Sequence, residues 1–311
     1  MRKFLLLAIA AYAANLMTYA QTCLDDALAY RVKNEAFNNS KIEDLSQFMT
    51  DDLGPRLAAS KMKLRAEKMV INKLEELGLS NPRAEFAFEF AKGGWDNEKN
   101  YVAMTAPYYC SFAANPKAWS GSTDGLVKGE CVVIDVKEKA DLEKYKGKLA
   151  GKIVLMPVQQ TYEIRFDPLA SRYTDKELAE LEKDPRPANA RRHTMPSNWQ
   201  AMRELQNAID KMLREELVLA VVSGSGTFNV PSSRGVQYKQ GDPEPTPEIV
   251  LPIEDHGRMV RMLNKGQKVE MELDVKNSFT NNPQINNVIA EIPGSDPKLK
   301  NEIVLIGAHL D

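Results

Sequence analysis

Apolar positions along this chain recur either at helical spacing or in alternating and continuous runs, and the two patterns alternate in blocks. Residues 24 to 38 carry Leu24, Ala27, Leu28, Val32 and Phe37 at roughly helical intervals, and Ser40-Lys41-Ile42-Glu43 has the form of a capping box opening a second helix. The clearest helix follows. Ser60 stands at its cap position, Met62, Ala66, Met69, Val70, Leu74 and Leu77 form one stripe, and Gly78 stands where a left-handed residue ends a helix. Ala84 to Phe90 then alternates apolar and charged residues as a half-buried strand does, with Tyr101 to Ala106 as its expected partner.

Between about 108 and 125 the texture turns to aromatic, small and turn residues, which predicts a crossing between domains. A second α/β block comes after it. Its strands are expected at Val127 to Val136, Lys152 to Pro157, Leu217 to Val222 and Lys268 to Val275. Helices fall between them, one opened by the capping box Thr174-Asp175-Lys176-Glu177, one with the stripe Met202, Leu205, Ile209, Met212 and Leu213, and one from about Asp255 to Lys265 that stops at Gly266. The proline-bearing segments Asp184 to Asn198 and Val230 to Pro247 read as exposed loops.

From Asn286 the pattern changes again, to a strand at Asn287 to Ile292, a turn at Pro293 to Pro297 and a run from Glu302 to Ala308 that is aliphatic on both faces. Such a run predicts a central strand of an α/β sheet, and ligand-binding or catalytic residues in these sheets gather where the strands end. His309 and Asp311 stand at that end.

Composition narrows the function. With 43% hydrophobic and 27% charged residues in 311, this is an ordinary folded protein, and a net charge of -2 gives no basic excess to recommend a nucleic acid or an anionic membrane surface as partner. A peptide or small-molecule substrate fits better. Met1-Arg2-Lys3, an apolar run from Phe4 to Leu16 and the ending Thr18-Tyr19-Ala20 have the charge, length and small-residue close of a secretory signal cleaved after Ala20. The run is well short of the ~20 residues that span a bilayer, and the residues before Cys23 do not suit a lipoprotein junction. The expected location is therefore secreted or periplasmic, with no membrane role beyond export. Cys110 and Cys131 are read equally well as a disulfide or as two free thiols.

In His309-Leu310-Asp311 the two polar side chains sit two apart at a predicted strand end, where they can point the same way. That suits a metal site, because a zinc-bound imidazole usually donates its other ring N-H to a carboxylate. Spacing alone makes this a weak signal. His193, in a proline-rich basic loop, and His256, expected in the first turn of a surface helix, are not read as ligands. Ser223-Gly224-Ser225-Gly226 follows a predicted buried strand but lacks the spacing of a nucleophile elbow, so a glycine-rich turn explains it better than a serine hydrolase.

The runs Asn286 to Gly294 and Ile303 to Asp311 resemble the entry to the catalytic domain of the co-catalytic zinc aminopeptidase and glutamate carboxypeptidase family. Glu35 to Ser40 and Leu53-Gly54-Pro55-Arg56-Leu57 resemble that family's N-terminal segment, with Ala58-Ala59-Ser60 where Thr-Gly-Ser is more usual. Gly151 to Leu155 and Pro252 to Asp255 resemble the protease-associated domain often inserted in it.

The resemblance implies an α/β fold: the start of a mixed-sheet α/β/α zinc-exopeptidase domain, interrupted by a protease-associated α/β domain and truncated at the C-terminus. The implied layout is a signal over 1-20, an N-terminal peptidase segment over 21-111, the insert over 112-276 and a return over 277-311. It implies a zinc exopeptidase, an aminopeptidase first, acting on peptides with two zinc ions. His309 matches the first zinc ligand and Asp311 the carboxylate that orients it; the family's other ligands and its general base would lie beyond Asp311, leaving this chain inactive alone. The alternative is a non-catalytic, receptor-like binding module, since protease-associated domains do no chemistry themselves.

Overall fold

The computed structural model describes residues 26-157, 166-168, 170-183, 198-225 and 234-311. The expected signal, Cys23, His193, Gly226 and the greater part of the 184-198 loop lie outside these residues. The chain divides into two compact units, one made of residues up to Arg56, Met62-Ala84 and the part from Val288 on, the other of Leu57-Lys61 and Glu85-Asn287.

The second unit is built on an eight-stranded mixed sheet. Its strands are β2 (Gly94-Ala106), β3 (Cys110-Ser111), β4 (Asn115-Pro116), β5 (Val127-Val133), β6 (Ile153-Leu155), β7 (Ala220-Gly224), β8 (Glu248-Leu251) and β9 (Glu270-Thr280), in spatial order β3-β2-β9-β5-β6-β7-β8-β4. β5 through β8 run parallel, and the remaining pairs are antiparallel. Short aliphatic strands buried on both faces are what a parallel arrangement requires, because helices must cover each side. Here Ile153, Leu155, Ala220 and Val222 pack in one core with Met259 and Val260 of α6 (Ile253-Asn264). Val154 and Val221, one residue out of phase, pack in a second core with Ile209 and Leu213 of α5 (Trp199-Glu215). A third cluster joins Trp95, Trp119 and Val236, with Leu57, Phe90 and Phe279 against it.

The expected helices form. α4 (Asp175-Glu182) has the full capping box, Thr174 accepting from the Glu177 amide while Glu177 reaches back to Thr174. α6 gives way to Gly266 at φ +75°. β8 is not among the strands the sequence predicts; its pairing with β7 and β4 makes it one. The expected insert, 112-276, lies wholly inside this unit, and β2 is part of the same sheet. That corrects one pairing: Tyr101-Ala106 was expected beside Ala84-Phe90, but β2 pairs with β9, Tyr101 opposite Asp274.

The first unit holds a helix α1 over 26-38, α2 (Ile42-Gln47) running into a π-helical turn (Phe48-Asp52), and α3 (Lys61-Glu76), most of which belongs here. β1 (Ser80-Glu89) pairs with β10 (Gln284-Glu291) as a separate two-stranded sheet, and the boundary between the units runs through these strands. Ser40 accepts from the Ile42 amide at 3.3 Å in place of the expected capping box. Gly78, at φ +83°, ends α3 as its position predicted. The stripe of α3 is only half-buried, and its buried surface includes the ion pair Lys63-Glu67 at 3.0 Å.

The strand expected over 302-308 does not form. Residues 302-311 have no regular secondary structure, and Ile303 to Ile306 are 87 to 92% exposed. A strand exists only as one side of a hydrogen-bonded ladder, and among the described residues no strand pairs with this segment.

Candidate metal-ligand site

The sequence places His309 and Asp311 two residues apart on one short stretch of backbone, and the structure brings their side chains together. His309 Nδ1 lies 2.9 Å from Asp311 Oδ1. An ionised carboxylate can only accept, so Nδ1 donates, and in the neutral ring Nε2 keeps its lone pair. The hydrogen bond from the imidazole is the main cause holding the Asp311 carboxyl below its ordinary range, and the Lys63 ammonium adds a smaller pull. The His309 side chain is 93% exposed and that of Asp311 38%. In its neutral form the ring therefore carries its lone pair on an accessible Nε2, with the tautomer set from behind.

Arg56 reaches this stretch. Its Nε donates to the Leu310 carbonyl at 2.7 Å, and its Nη1 donates to the carbonyls of Met49 at 2.5 Å and Gly54 at 2.9 Å. The segment carrying it is shaped by the π-helical turn and by Gly54 at φ +68°, and it is tied down by Arg65, which donates to the Asp52 and Leu53 carbonyls. Arg56 is not among the residues that the sequence marks as a site. Its available signal was the Leu53-Gly54-Pro55-Arg56 turn, where an arginine stands between a buried leucine and a helix start.

A zinc ion fits this pair in donor type and tautomer, since an imidazole backed by a carboxylate is a common zinc ligand. The pair supplies one donor nitrogen. Among the described residues no group of three or more His, Cys, Asp and Glu is placed to hold a metal.

The other candidates belong to the second unit. His256 was expected on a surface and is instead 1% exposed, because α6 turns that face toward the sheet. Gly224 permits this closeness, as a Cβ there would meet the imidazole at 2.8 to 2.9 Å. Burial pushes the His256 imidazole down to about 4, against the pull of the Met156 and Val222 carbonyls. It is a neutral core side chain. Ser223 and Gly224 extend β7 past its expected end at Val222, in place of the expected turn, and the Ser225 amide donates to the Leu251 carbonyl; Gly226 lies outside the described residues. Cys110 and Cys131 are free thiols.

No protein-family model matches the chain. Among curated proteins, carboxypeptidase Q of Mus musculus is 23% identical over 278 residues, covering 88% of this chain and 50% of that one. Among solved structures, a peptidase M28 precursor from Shewanella amazonensis SB2B matches with a TM-score of 0.55 and 21% identity, over 93% of this chain and 58% of the other. A zinc aminopeptidase from Bacillus subtilis matches at 12% identity and a TM-score of 0.41, over 80% and 46%. The chain thus spans about half the length of the curated relative it matches. It has the mixed α/β fold of the Shewanella protein, and the curated relative is a carboxypeptidase by name.

Proposed function

We propose that the chain belongs with the M28-type zinc peptidases and supplies, through His309 and Asp311, the first metal ligand of an exopeptidase and the carboxylate that orients it. The observation that carries the reading is the 2.9 Å contact that occupies Nδ1 on a ring 93% exposed, in a chain with an M28 peptidase fold. The proposed substrates are peptides cleaved at a terminal bond, the amino end first. Residues 112-276 are proposed as a protease-associated insert and residues 1-20 as an export signal; among the described residues no helix is long and apolar enough to cross a membrane.

Zinc, two ions in this reading, would lower the pKa of a water and polarise the scissile carbonyl. The chain's own residues set the conditions. Asp311, held ionised, keeps the Nδ1 proton in place, which makes Nε2 the more basic donor. It also places a negative charge behind the ring, partly offsetting the charge of a bound dication.

The test uses this sequence within a protein of the relatives' length, dialysed against buffer and assayed on aminoacyl and C-terminally free peptide substrates. His309→Ala is expected to lose zinc and all detectable cleavage, and Asp311→Ala to lose ~10 to 100-fold in either. Full zinc content and full activity in His309→Ala would overturn the assignment.

A further inference from the structure

Residues 302-311 have no regular secondary structure, and the aliphatic run before His309 lies open to solvent. The Lys63 ammonium acts on Asp311 through space, and Arg56 donates a hydrogen bond into residues 303-311 from 254 positions away. It binds the carbonyl of Leu310, the residue between the two functional side chains.

We propose that Arg56 is a positioning residue for the metal ligand: it locks the Leu310 peptide so that Asp311 stays against His309 Nδ1. The proposal rests on the reading of His309 as a zinc ligand. Geometry supplies the argument. Rotation of the Leu310 peptide swings Asp311 relative to His309, and the 2.9 Å contact between their side chains survives only a narrow range of such rotation. A bond of 2.7 Å from a planar guanidinium to that carbonyl restrains the rotation directly.

The guanidinium is itself fixed. Its Nη1 is shared between the Met49 and Gly54 carbonyls, so three main-chain oxygens from two distant stretches of sequence converge on one rigid fork. All three acceptors are neutral peptide oxygens. Arg56 acts here as a template for backbone geometry, and a lysine, with a single ammonium on a flexible stem, can satisfy only part of it. Met49 and Gly54 anchor the fork within the residues that precede α3, so the ligand stretch inherits its position from that segment.

The tautomer of His309 reads the effect without any metal. Nitrogen-15 spectra of the histidine rings of the 311-residue chain, taken above pH 8, separate the Nδ1-H and Nε2-H forms, and His309→Gln identifies the His309 signals. The native chain is expected to show His309 mainly as Nδ1-H. Arg56→Ala should move it to the mixed tautomers of a free imidazole, and Arg56→Lys to an intermediate position, with His256 unmoved as the internal control and helix content unchanged by circular dichroism. An unmoved His309 in Arg56→Ala overturns the proposal. So does a shift accompanied in both variants by loss of helix signal, since Arg56 would then act by holding the segment folded. In the zinc-loaded protein of relatives' length, Arg56→Ala should weaken zinc affinity by about 10-fold, the lower end of the range for a group supporting a ligand. If His309→Ala keeps its zinc, the zinc reading fails; if His309→Ala loses zinc and Arg56→Ala binds it as tightly as the native protein, only the positioning role fails.

Discussion

The tetrapeptide Glu-Ile-Val-Leu occurs twice in this chain, and the two copies have opposite structures. Glu248-Leu251 is strand β8, with Ile249, Val250 and Leu251 fully buried between β7 and β4. Glu302-Leu305 is unpaired, with its three aliphatic residues 87 to 91% exposed. The backbone preferences of the two copies are the same, so propensity cannot be the cause. Neighbours are. The first copy has a parallel partner on one side, an antiparallel partner on the other and α6 leading directly from its end. Strand preference is mainly a fit to a pleated, half-buried surface, and it stabilises nothing until that surface exists.

The sharpest way to break this comparison is to cut the same side chain from both copies. Leu251→Ala should leave a cavity among Ile249, Leu155 and Met259 and cost about 2 to 5 kcal/mol of the second unit's stability. Leu305→Ala removes a side chain already in water and should change stability by less than about 0.5 kcal/mol. Urea unfolding followed by the fluorescence of buried Trp95 and Trp119 measures both. Equal losses would show that the second copy is packed in solution, against the structure.

The histidines repeat the contrast, with a smaller effect. The His309 side chain is 93% exposed, whereas burial holds His256 at about 4 against ~6.5 in an unfolded chain. Between those values the unfolded state binds a proton that the folded state refuses, so stability rises with pH. His256 therefore contributes in full above pH ~6.5, and its contribution falls away as pH drops toward 4. The shift corresponds to roughly 3 kcal/mol. Urea midpoints between pH 7 and 4 should fall in the native chain and fall distinctly less in His256→Gln, whatever that variant's stability at pH 7. Parallel pH profiles would remove His256 as the cause.

What was legible in the sequence follows the same division. Periodicity located α3, α5, α6 and the strands β5, β6, β7 and β9, because each of these writes its burial into its own sequence, as Ile209 and Leu213 do on α5. It placed His309 beside Asp311, since two residues of backbone settle that contact. Pairing was not legible. β1 and β2 are neighbours in sequence and were read as partners, yet β2 pairs with β9, some 170 residues on, through a register that no local pattern encodes. β8 is only four residues long and follows a proline-rich stretch, which hid it. His256 was misread because a lone polar residue in a first helical turn usually faces water, and the glycine that makes room for it lies 32 positions earlier in another element. Arg56 was missed for a related reason: its partner at Leu310 is 254 residues away.

The smallest expected effect sharpens the comparison from its exposed side. Val304 is 91% exposed, and its neighbours Ile303, Leu305 and Ile306 make it part of a continuous aliphatic run facing water. Val304→Asp desolvates no charge, because the site is already solvated, and it breaks no ladder, because none is formed there. The urea midpoint should therefore stay within about 0.5 kcal/mol of the native value. Val250→Asp, in the buried copy, should by contrast prevent the second unit from folding, since a carboxylate would be forced into the sheet without a partner. The exposed variant should differ from the native chain in another way. An open aliphatic run with strand-forming residues and no charge binds hydrophobic dyes and offers an edge for another copy of itself. A charge in its middle should lower dye fluorescence and reduce light scattering at raised concentration while the fold stays as it was. A drop in stability on Val304→Asp as large as that from Leu251→Ala would mean that the run is buried in solution and that the two copies of the tetrapeptide share one fate after all.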